Sequence, residues 1–245
     1  MNEQEVIKAR MTDLADRAYS RGYTVFSDFL NMNEISILKS MRLSCGYTLY
    51  GGYEGAERCM AAFGDPPEFS AFPIVCVSLK PLQQMFADAL THRDVLGALM
   101  NSGINRNTLG DILLHENVAY VFCTESMAAY LCQTLTRVRH TTVSCTVTDG
   151  LPPLLTEKPA VTELVAASLR ADAVIGAVYK LSRSEAARLF DSEKVFINAV
   201  LTHKDSTLLK EGDTVSVRGY GRFIFEGAVR QTKKSRTVAA VRIYR

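Results

Sequence analysis

Between residues 72 and 150 the sequence alternates between strand-like and helix-like stretches. The strands are rich in β-branched and apolar residues, whereas the helices carry apolar residues at helical spacing. Strands are predicted at Phe72–Leu79, Asp111–Leu114, Val118–Cys123 and Thr141–Thr148, and helices at Leu82–Asn101 and Ser126–Arg137. The order β-α-β-β-α-β predicts a ferredoxin-like domain, an antiparallel sheet with two helices on one face.

RNA-recognition-motif (RRM) proteins share this topology, but so do many enzymes, so the topology alone does not assign a function. The third strand lacks the basic–glycine–aromatic start that marks RNA recognition motifs. Its Tyr120 and Phe122 fall on one face, and packing against the helices is expected to bury them.

The flanking segments complete an α+β protein of three predicted domains. Residues 1–70 form an α-rich N-terminal domain, 72–150 the ferredoxin-like domain, and 171–245 a C-terminal domain with a terminal hairpin. Helices are predicted around Val6–Ala18, at Glu34–Leu43 after an Asn33 cap, at Glu54–Phe63, and at Lys158–Leu169 after the linker Leu151–Pro153.

Charge is distributed unevenly along the chain. The whole sequence has 28 Lys and Arg against 26 Asp and Glu, a net charge of +2. Residues 180–245 contain 14 of the basic and 7 of the acidic residues, a net of +7, which leaves −5 for the rest. A basic module on an acidic body indicates a polyanionic partner.

Composition argues against several other classes of protein. No apolar run approaches the roughly 20 residues that cross a bilayer, and the charged N-terminus lacks a signal peptide, so a cytoplasmic protein without membrane insertion is expected. The six cysteines form no CxxC pair, and the four histidines lack metal-ligand spacing. We therefore predict reduced thiols, no metal and no cofactor.

The C-terminal segment shows clear helix signals. Ala171–Lys180 is a short apolar helix, and Ser182 with Glu185 forms a capping box at the start of the next helix, Arg183–Asp191. Ala186, Leu189 and Phe190 give that helix an apolar face. Strands follow at Val195–Val200 and Thr214–Val217, and then a hairpin over residues 223–245.

This pattern resembles the S-four RNA-binding domain, named after the fourth protein of the ribosomal small subunit. The matching positions are Leu181, Ser182, Arg183, Ser184, Ala186, Val195, Ile197, Asn198, Lys210–Asp213, Val215 and Val217–Gly219. Family members often have a glycine after the asparagine, where this chain has Ala199, so the turn is expected to differ in shape. The resemblance implies that cations at a helix end and a strand rim contact an RNA backbone.

The predicted RNA-binding residues follow from this resemblance. Arg183, Ser184 and Arg188 come first, followed by Lys194, Lys204, Arg218, Arg222, Lys233, Lys234 and Arg236. Such contacts to phosphates position an RNA without reading its sequence. Tyr220 is a candidate for stacking on an unpaired base, whereas Phe223 is expected in the core.

Three further strings widen the resemblance to nearly the whole chain. They are Gly51–Arg58, His92–Met100 and Gly103–Ile112, and with the terminal domain their order resembles the bacterial YlmH family. The resemblance implies an RNA-binding protein of the large ribosomal subunit, active in ribosome-associated quality control on stalled peptidyl-tRNA and linked to cell division. Within these strings Arg58, Arg93 and Arg106 are candidates for a second RNA surface.

We therefore predict a non-enzymatic protein that docks on structured rRNA or tRNA, with the N-terminal body orienting it or meeting a protein partner. Two alternatives remain open. An RNA-modifying enzyme of the pseudouridine synthase type is disfavoured because His92-Arg93-Asp94 lacks the spacing around the catalytic aspartate of those enzymes. A division-linked scaffold is the other alternative.

Overall fold

The computed structural model describes residues 3–65, 68–83, 87–156, 158–232 and 236–244. The chain divides into two compact units, residues 1–157 and 158–245. The first unit contains both the N-terminal segment and the ferredoxin-like segment. The second begins 13 residues before the predicted start of the C-terminal domain at Ala171. The finer division into three domains stays a prediction.

The N-terminal segment combines two helices with a small sheet. Its elements are α1 (Glu3–Arg21), β1 (Val25–Phe26), α2 (Met32–Ser40), β2 (Tyr47–Tyr50) and β3 (Met60–Phe63). The strands form an antiparallel sheet in the order β1-β3-β2. The side chains of Met11 and Ala15 on helix α1 are buried.

Two predictions in this segment were wrong. Helix α2 begins at Met32 because Asn31, not Asn33, caps it, in a capping box with Glu34. The helix predicted at Glu54–Phe63 is a turn followed by β3, whose four residues are all buried. Pairing with both β1 and β2 explains the burial, and the β1 partners lie 36 to 38 positions away in sequence.

The ferredoxin-like segment has the predicted order of elements. They are β4 (Ile74–Pro81), α3 (His92–Asn101), β5 (Leu109–His115), β6 (Val118–Thr124), α4 (Glu125–Thr134), β7 (Arg137–Val138), β8 (Thr141–Thr148) and a short α5 (Pro153–Thr156). The sheet order is β5-β6-β4-β8-β7, with every neighbouring pair antiparallel. The first four strands of this order are the ferredoxin-like arrangement, and the α+β fold class is confirmed.

Helix α3 is shorter than predicted. It begins at His92 because Thr91 and Asp94 form a capping box there. The residues just before it are extended, and the Asn117 side chain accepts a 2.6 Å hydrogen bond from the Leu90 amide. The helix predicted from the periodicity of Leu82–Asn101 therefore began too early in the sequence.

The two faces of this sheet pack against different elements. One face presents Val77, Leu79 and Val121 to a core shared with the helices. The other presents Cys76, Tyr120 and Phe122 to a core shared with the N-terminal segment, including Phe29 and Met60. Tyr120 and Phe122 are buried as predicted, but the small N-terminal sheet covers them rather than the helices.

The second unit is one six-stranded sheet with two helices. Its elements are β9 (Val161–Ala166), α6 (Ala171–Tyr179), α7 (Arg183–Asp191), β10 (Val195–Ile197), β11 (Val200–Leu201), β12 (Thr214–Val217), β13 (Gly221–Gln231) and β14 (Thr237–Tyr244). The strand order is β11-β10-β12-β13-β14-β9. The predicted helix at Lys158–Leu169 was wrong, because this segment pairs as β9 with β14.

The core of the second unit lies between the helices and one face of the sheet. Val174, Ile175 and Phe190 from the helices meet Val215 and Phe223 from the strands. Phe223 is fully buried, as predicted. In the described part of the chain no helix is long and apolar enough to cross a membrane.

Candidate nucleic-acid interface

The start of helix α7 is organised by its capping box. The Ser182 hydroxyl accepts a hydrogen bond from the Glu185 amide at 3.3 Å, and the Glu185 carboxylate accepts one from the Ser182 amide at 2.8 Å. These bonds satisfy amides that a helix start leaves unpaired. The Ser182 hydroxyl also donates a 2.6 Å hydrogen bond to the Glu185 carboxylate, and this bond is the main cause of the lowered pKa of Glu185. The predicted cap is confirmed.

Because one face of α7 is buried, the basic side chains on its other face point to solvent. Ala186, Leu189 and Phe190 enter the core, so Arg183 and Arg188 project to solvent. The Arg183 side chain is 83% exposed. Ser184, between them in sequence, is exposed as well. An RNA contact by these three residues stays a prediction, but the exposure that it requires is present.

A buried carboxylate lies beside Arg183. Asp172, 2% exposed, accepts hydrogen bonds from Arg170 at 2.8 and 3.0 Å and from the Ala173 amide at 2.9 Å. The Arg183 Nε lies 4.0 Å from the same carboxylate. A buried charge needs such partners, so Asp172 anchors Arg170 and leaves Arg183 oriented but exposed. Sequence reasoning missed Arg170 as the partner.

Lys204 belongs to the same end of the unit. Its loop is held against the start of α6, since the Asp172 amide donates to the Asp205 carbonyl at 3.1 Å and Arg170 lies 3.4 Å from the Asp205 carboxylate. Arg170, Arg183, Asp172 and Ala173 also line an open groove of about 330 Å³. Cations from two elements thus lie near one groove.

Other predicted cations lie on the opposite face of the sheet from the helices. The Arg218 guanidinium covers the Phe196 ring at 4.9 Å, and that of Arg222 covers Tyr244 at 4.3 Å. The Arg218 amide donates to the carbonyl of exposed Lys194 at 2.9 Å, which places these two residues side by side. Stacking on a ring holds a guanidinium while leaving hydrogen-bond donors free.

The predicted set therefore does not form a single surface. Arg183 and Arg188 project from the helical layer, whereas Arg218 and Arg222 lie on the outer sheet face. Arg236 is exposed beside the β13–β14 turn, where its amide donates to the Thr232 hydroxyl at 3.1 Å. Lys233 and Lys234 lie outside the described residues. Tyr220 is 46% exposed and packs against Tyr179 at 5.4 Å.

The predicted second surface separates into structural and exposed arginines. Arg58 donates to the carbonyls of Leu109, Phe29 and Arg106 at 2.8, 3.2 and 3.1 Å. Arg106 donates to the carbonyls of Leu109 and Gly110 at 2.8 and 3.1 Å. Burial lowers the pKa of both, that of Arg106 to about 10. These contacts hold the fold together and do not favour an RNA contact.

Asp111 completes this arrangement of the Gly51–Arg58 loop. It accepts hydrogen bonds from the Tyr53 hydroxyl and from the amides of Glu57 and Arg58, at 2.8, 2.7 and 3.1 Å. Two of the strings that carry the family resemblance thus meet at one carboxylate. Arg93, by contrast, is exposed on α3, near Arg137 and Arg139, which the sequence reasoning missed although they lie in the basic run Arg137–His140.

No metal or reactive thiol site emerges among the residues that the structure describes. Within that part of the chain no cluster of His, Cys, Asp or Glu could hold an ion. The six cysteines are free, and burial raises the pKa of Cys59, Cys76 and Cys123 to about 12. These thiols stay protonated at neutral pH and pack as apolar groups.

A protein-family model matches part of the chain. Residues 67–150 match the family model described as "Putative RNA-binding domain in YlmH". The match falls on the ferredoxin-like segment, including Arg93, Arg137 and Arg139. Over that segment this α+β chain is therefore similar to a domain described as RNA-binding.

Individual relatives confirm the resemblance to the YlmH family. The chain is 28% identical over 219 residues to the ribosome-associated protein quality control protein P2 of Bacillus subtilis, covering 86% of this chain and 83% of that protein. The cell division protein ylmH from Streptococcus pneumoniae matches in structure with a TM-score of 0.50 at 21% identity. That match covers 60% of this chain and 92% of the other, and it shows a shared fold.

Proposed function

We infer that this protein is a non-enzymatic factor that docks on structured RNA of the ribosome, through the cations of its C-terminal unit. The observation that carries the inference is the presentation of Arg183 and Arg188. A capped helix with a buried apolar face holds both guanidinium groups in solvent. An exposed guanidinium is available for the bidentate recognition of phosphate.

The name of one relative supports the ribosome as the source of the RNA. The Bacillus subtilis relative is named for ribosome-associated quality control and aligns over most of both chains. We therefore propose the large ribosomal subunit as the target, where rRNA and a bound tRNA both offer structured phosphate backbones. The charge of +7 over residues 180–245 favours such a polyanion.

Replacing Arg183 and Arg188 together by Ala tests this proposal in the full chain. Affinity for rRNA and for large subunits should fall, because each lost phosphate contact lowers the salt slope of log K by about 0.7 to 0.9. The double variant should therefore lower the slope by about 1.4 to 1.8, measured by filter binding and by co-sedimentation at several salt concentrations.

A matched control removes two arginines from another exposed helix. Arg17 and Arg21 lie on α1, where Arg17 pairs with Asp13 at 3.6 Å and Arg21 contacts Tyr23. Changing both to Ala removes the same charge and should leave the slope within error. Equal effects of the two double variants would mean that net charge, not the α7 surface, controls binding.

The absence of catalysis needs its own test. Asp94, the candidate catalytic aspartate of the enzyme alternative, belongs to the capping box of α3. Its carboxylate accepts a hydrogen bond from the Thr91 hydroxyl at 2.6 Å. Asp172 is buried in its contacts with Arg170. We therefore expect rRNA and tRNA incubated with the protein to keep their nucleosides unaltered by mass spectrometry. New pseudouridine that disappears in Asp94→Asn would instead establish the enzyme.

A further inference from the structure

Among the described residues, the face of the ferredoxin-like sheet that carries Tyr120 and Phe122 is covered and does not offer these rings for stacking on bases. Tyr120 and Phe122 occupy the positions where an exposed sheet would offer aromatic rings, but they are 9% and 2% exposed. Tyr53 stacks on Phe122 with ring centroids 5.1 Å apart. A Cβ added to Gly52 would lie 2.3 Å from the Phe122 ring, so the cover is in close contact. Any RNA contact of this segment must use another surface.

An exposed group of arginines lies at the edge of the same sheet. Arg93 on α3, Arg137 on β7 and Arg139 in the β7–β8 turn are all exposed. They line an open cleft of about 500 Å³ between α3 and β7. Its other lining residues are Asp94, Gly97, Ala98, Asn101 and Ser102. A Cβ at Gly97 would meet nothing within 4 Å, so the helix leaves room there for a bulky ligand.

Asp94 is the acidic residue among those lining the cleft, and its carboxylate already has partners. It accepts a hydrogen bond from the Thr91 hydroxyl at 2.6 Å and lies 3.7 Å from the Arg139 Nε atom. The Thr91 hydroxyl is the main cause of the lowered pKa of Asp94, and Arg139 and Arg93 add to it. Three arginines against one carboxylate leave the lining with a charge of +2.

The backbone at Arg139 supports a role for its side chain. Val138 pairs with Thr141, which leaves Arg139 and His140 as the two-residue turn. Arg139 has a φ of +52°, in the left-handed region that costs an L-residue roughly 1 kcal/mol or more. Glycine would adopt this conformation without that cost. An arginine held here at a conformational cost is a reason to look for a function.

We propose that the cleft between α3 and β7, hereafter the arginine cleft, binds the sugar–phosphate backbone of structured RNA. Guanidinium groups recognise phosphate through paired N–H donors. Among the described residues, those that line the cleft include no aromatic side chain, which favours backbone contacts over stacked bases. The proposal rests on the proposed function and adds a second RNA contact in the first unit.

Arg139→Gly in the full chain is the sharpest test, because it removes the charge while relieving the strained φ. Its thermal stability should be equal or higher, whereas its affinity for rRNA should fall about 4- to 5-fold at 0.15 M salt. The triple variant Arg93→Ala, Arg137→Ala, Arg139→Gly should lose about 50- to 150-fold. Its salt slope should fall by about 2 to 2.7.

Arg139→Lys is the matched control for charge. It should keep the salt slope while losing part of the affinity, because lysine retains the charge but not the bidentate geometry. Loss of affinity without loss of thermal stability in Arg139→Gly separates a binding role from a structural one. Unchanged affinity in the triple variant would overturn the proposal.

The two proposals fail in distinguishable ways. If only Arg183→Ala with Arg188→Ala weakens binding, the C-terminal surface stands and the arginine cleft is refuted. If neither set of variants weakens binding, the proposed function itself fails. A triple variant that binds naked rRNA normally but no longer sediments with large subunits would point to an acidic protein partner, which would also overturn the RNA assignment.

Discussion

The turn between β10 and β11 holds two consecutive residues in left-handed backbone, Asn198 at φ 52° and Ala199 at φ 58°. Asparagine tolerates this region, and its side chain adds hydrogen bonds to Asp213 at 2.8 Å and from the Thr214 amide at 2.9 Å. Alanine has no such compensation. Ala199, at the position where the S-four pattern often has glycine, therefore leaves strain in this tight turn.

Ala199→Gly should stabilise this part of the sheet. Relief of the left-handed strain outweighs the greater freedom of glycine in the unfolded chain, by about 0.5 to 1 kcal/mol. Hydrogen exchange should show protection of the β10 and β12 amides raised about 2- to 5-fold. Asn198→Gly is the control, and it should lower protection because it removes the bonds to Asp213 and Thr214. Lower protection in Ala199→Gly would contradict the strain argument.

For individual residues, contacts between near neighbours in sequence could be predicted, whereas contacts between distant residues could not. Ser182 and Glu185 of the capping box are three positions apart, so their chemistry is visible in the sequence and was predicted correctly. Asp111 accepts hydrogen bonds from the backbone amides of Glu57 and Arg58, more than 50 positions away. No local sequence pattern predicts that contact. Arg58 donates to carbonyls 29 to 51 positions away, which the sequence does not show. Arg106 donates to carbonyls three and four positions away, so distance along the chain does not explain its selection as an RNA candidate.

Among the elements, the contact between the small N-terminal sheet and the ferredoxin-like sheet depends on a glycine. Gly52 has a φ of +99°, and an added Cβ would lie 2.3 and 2.5 Å from atoms of the Phe122 ring. The backbone therefore passes directly over an aromatic side chain. No residue with a side chain can occupy this position without moving the ring or the loop.

Gly52→Ala should destabilise the first unit by about 2 kcal/mol or more, because overpacking and a strained φ act together. The expected readout is a lower melting temperature, with exposure of the Tyr53–Phe122 contact seen as changed near-ultraviolet circular dichroism. Gly97→Ala is the control in the same unit, since its Cβ has open space and alanine favours a helix. A melting temperature unchanged by Gly52→Ala would mean that the loop can readily move away.

The elements that were predicted wrongly share one property. Glu54–Phe63 and Lys158–Leu169 were read as helices, yet both contain strands, β3 and β9. Short apolar stretches fit either structure, and only the pairing partner decides between them. The partner β14 lies 71 to 81 positions from β9, and β1 lies 36 to 38 positions from β3, so both are outside the short window that periodicity examines. The ferredoxin-like order was predictable because its strands and helices are longer and its hairpin turn is short.

At the scale of the whole molecule, the second unit should fold alone only if it includes β9. A fragment of residues 158–245 keeps the six pairs between β9 and β14, whereas residues 171–245 leave β14 as a sheet edge. We expect cooperative thermal unfolding of the longer fragment by circular dichroism, and a lower melting temperature or aggregation of the shorter one. Equal melting temperatures would show that β9 contributes nothing to stability.

The predicted charge polarity describes only part of the interface. The basic excess in residues 180–245 is visible in the sequence and pointed to the C-terminal unit. The arginine cleft is not visible in the sequence. It lies in the acidic remainder of the chain and forms only when α3 packs beside β7. A local cluster of like charges can arise within a segment of opposite net charge, and only the fold brings it together.

The pairing of β9 with β14 also sets an order of events during synthesis. β9 is the first strand of its sheet to be made, and its only neighbour in the described strand order is the last. Residues such as Val161 and Arg242, paired in the finished sheet, are separated by about 80 positions. The emerging chain must therefore carry β9 unpaired until β14 has left the ribosome. Until then β9 is exposed to mispairing.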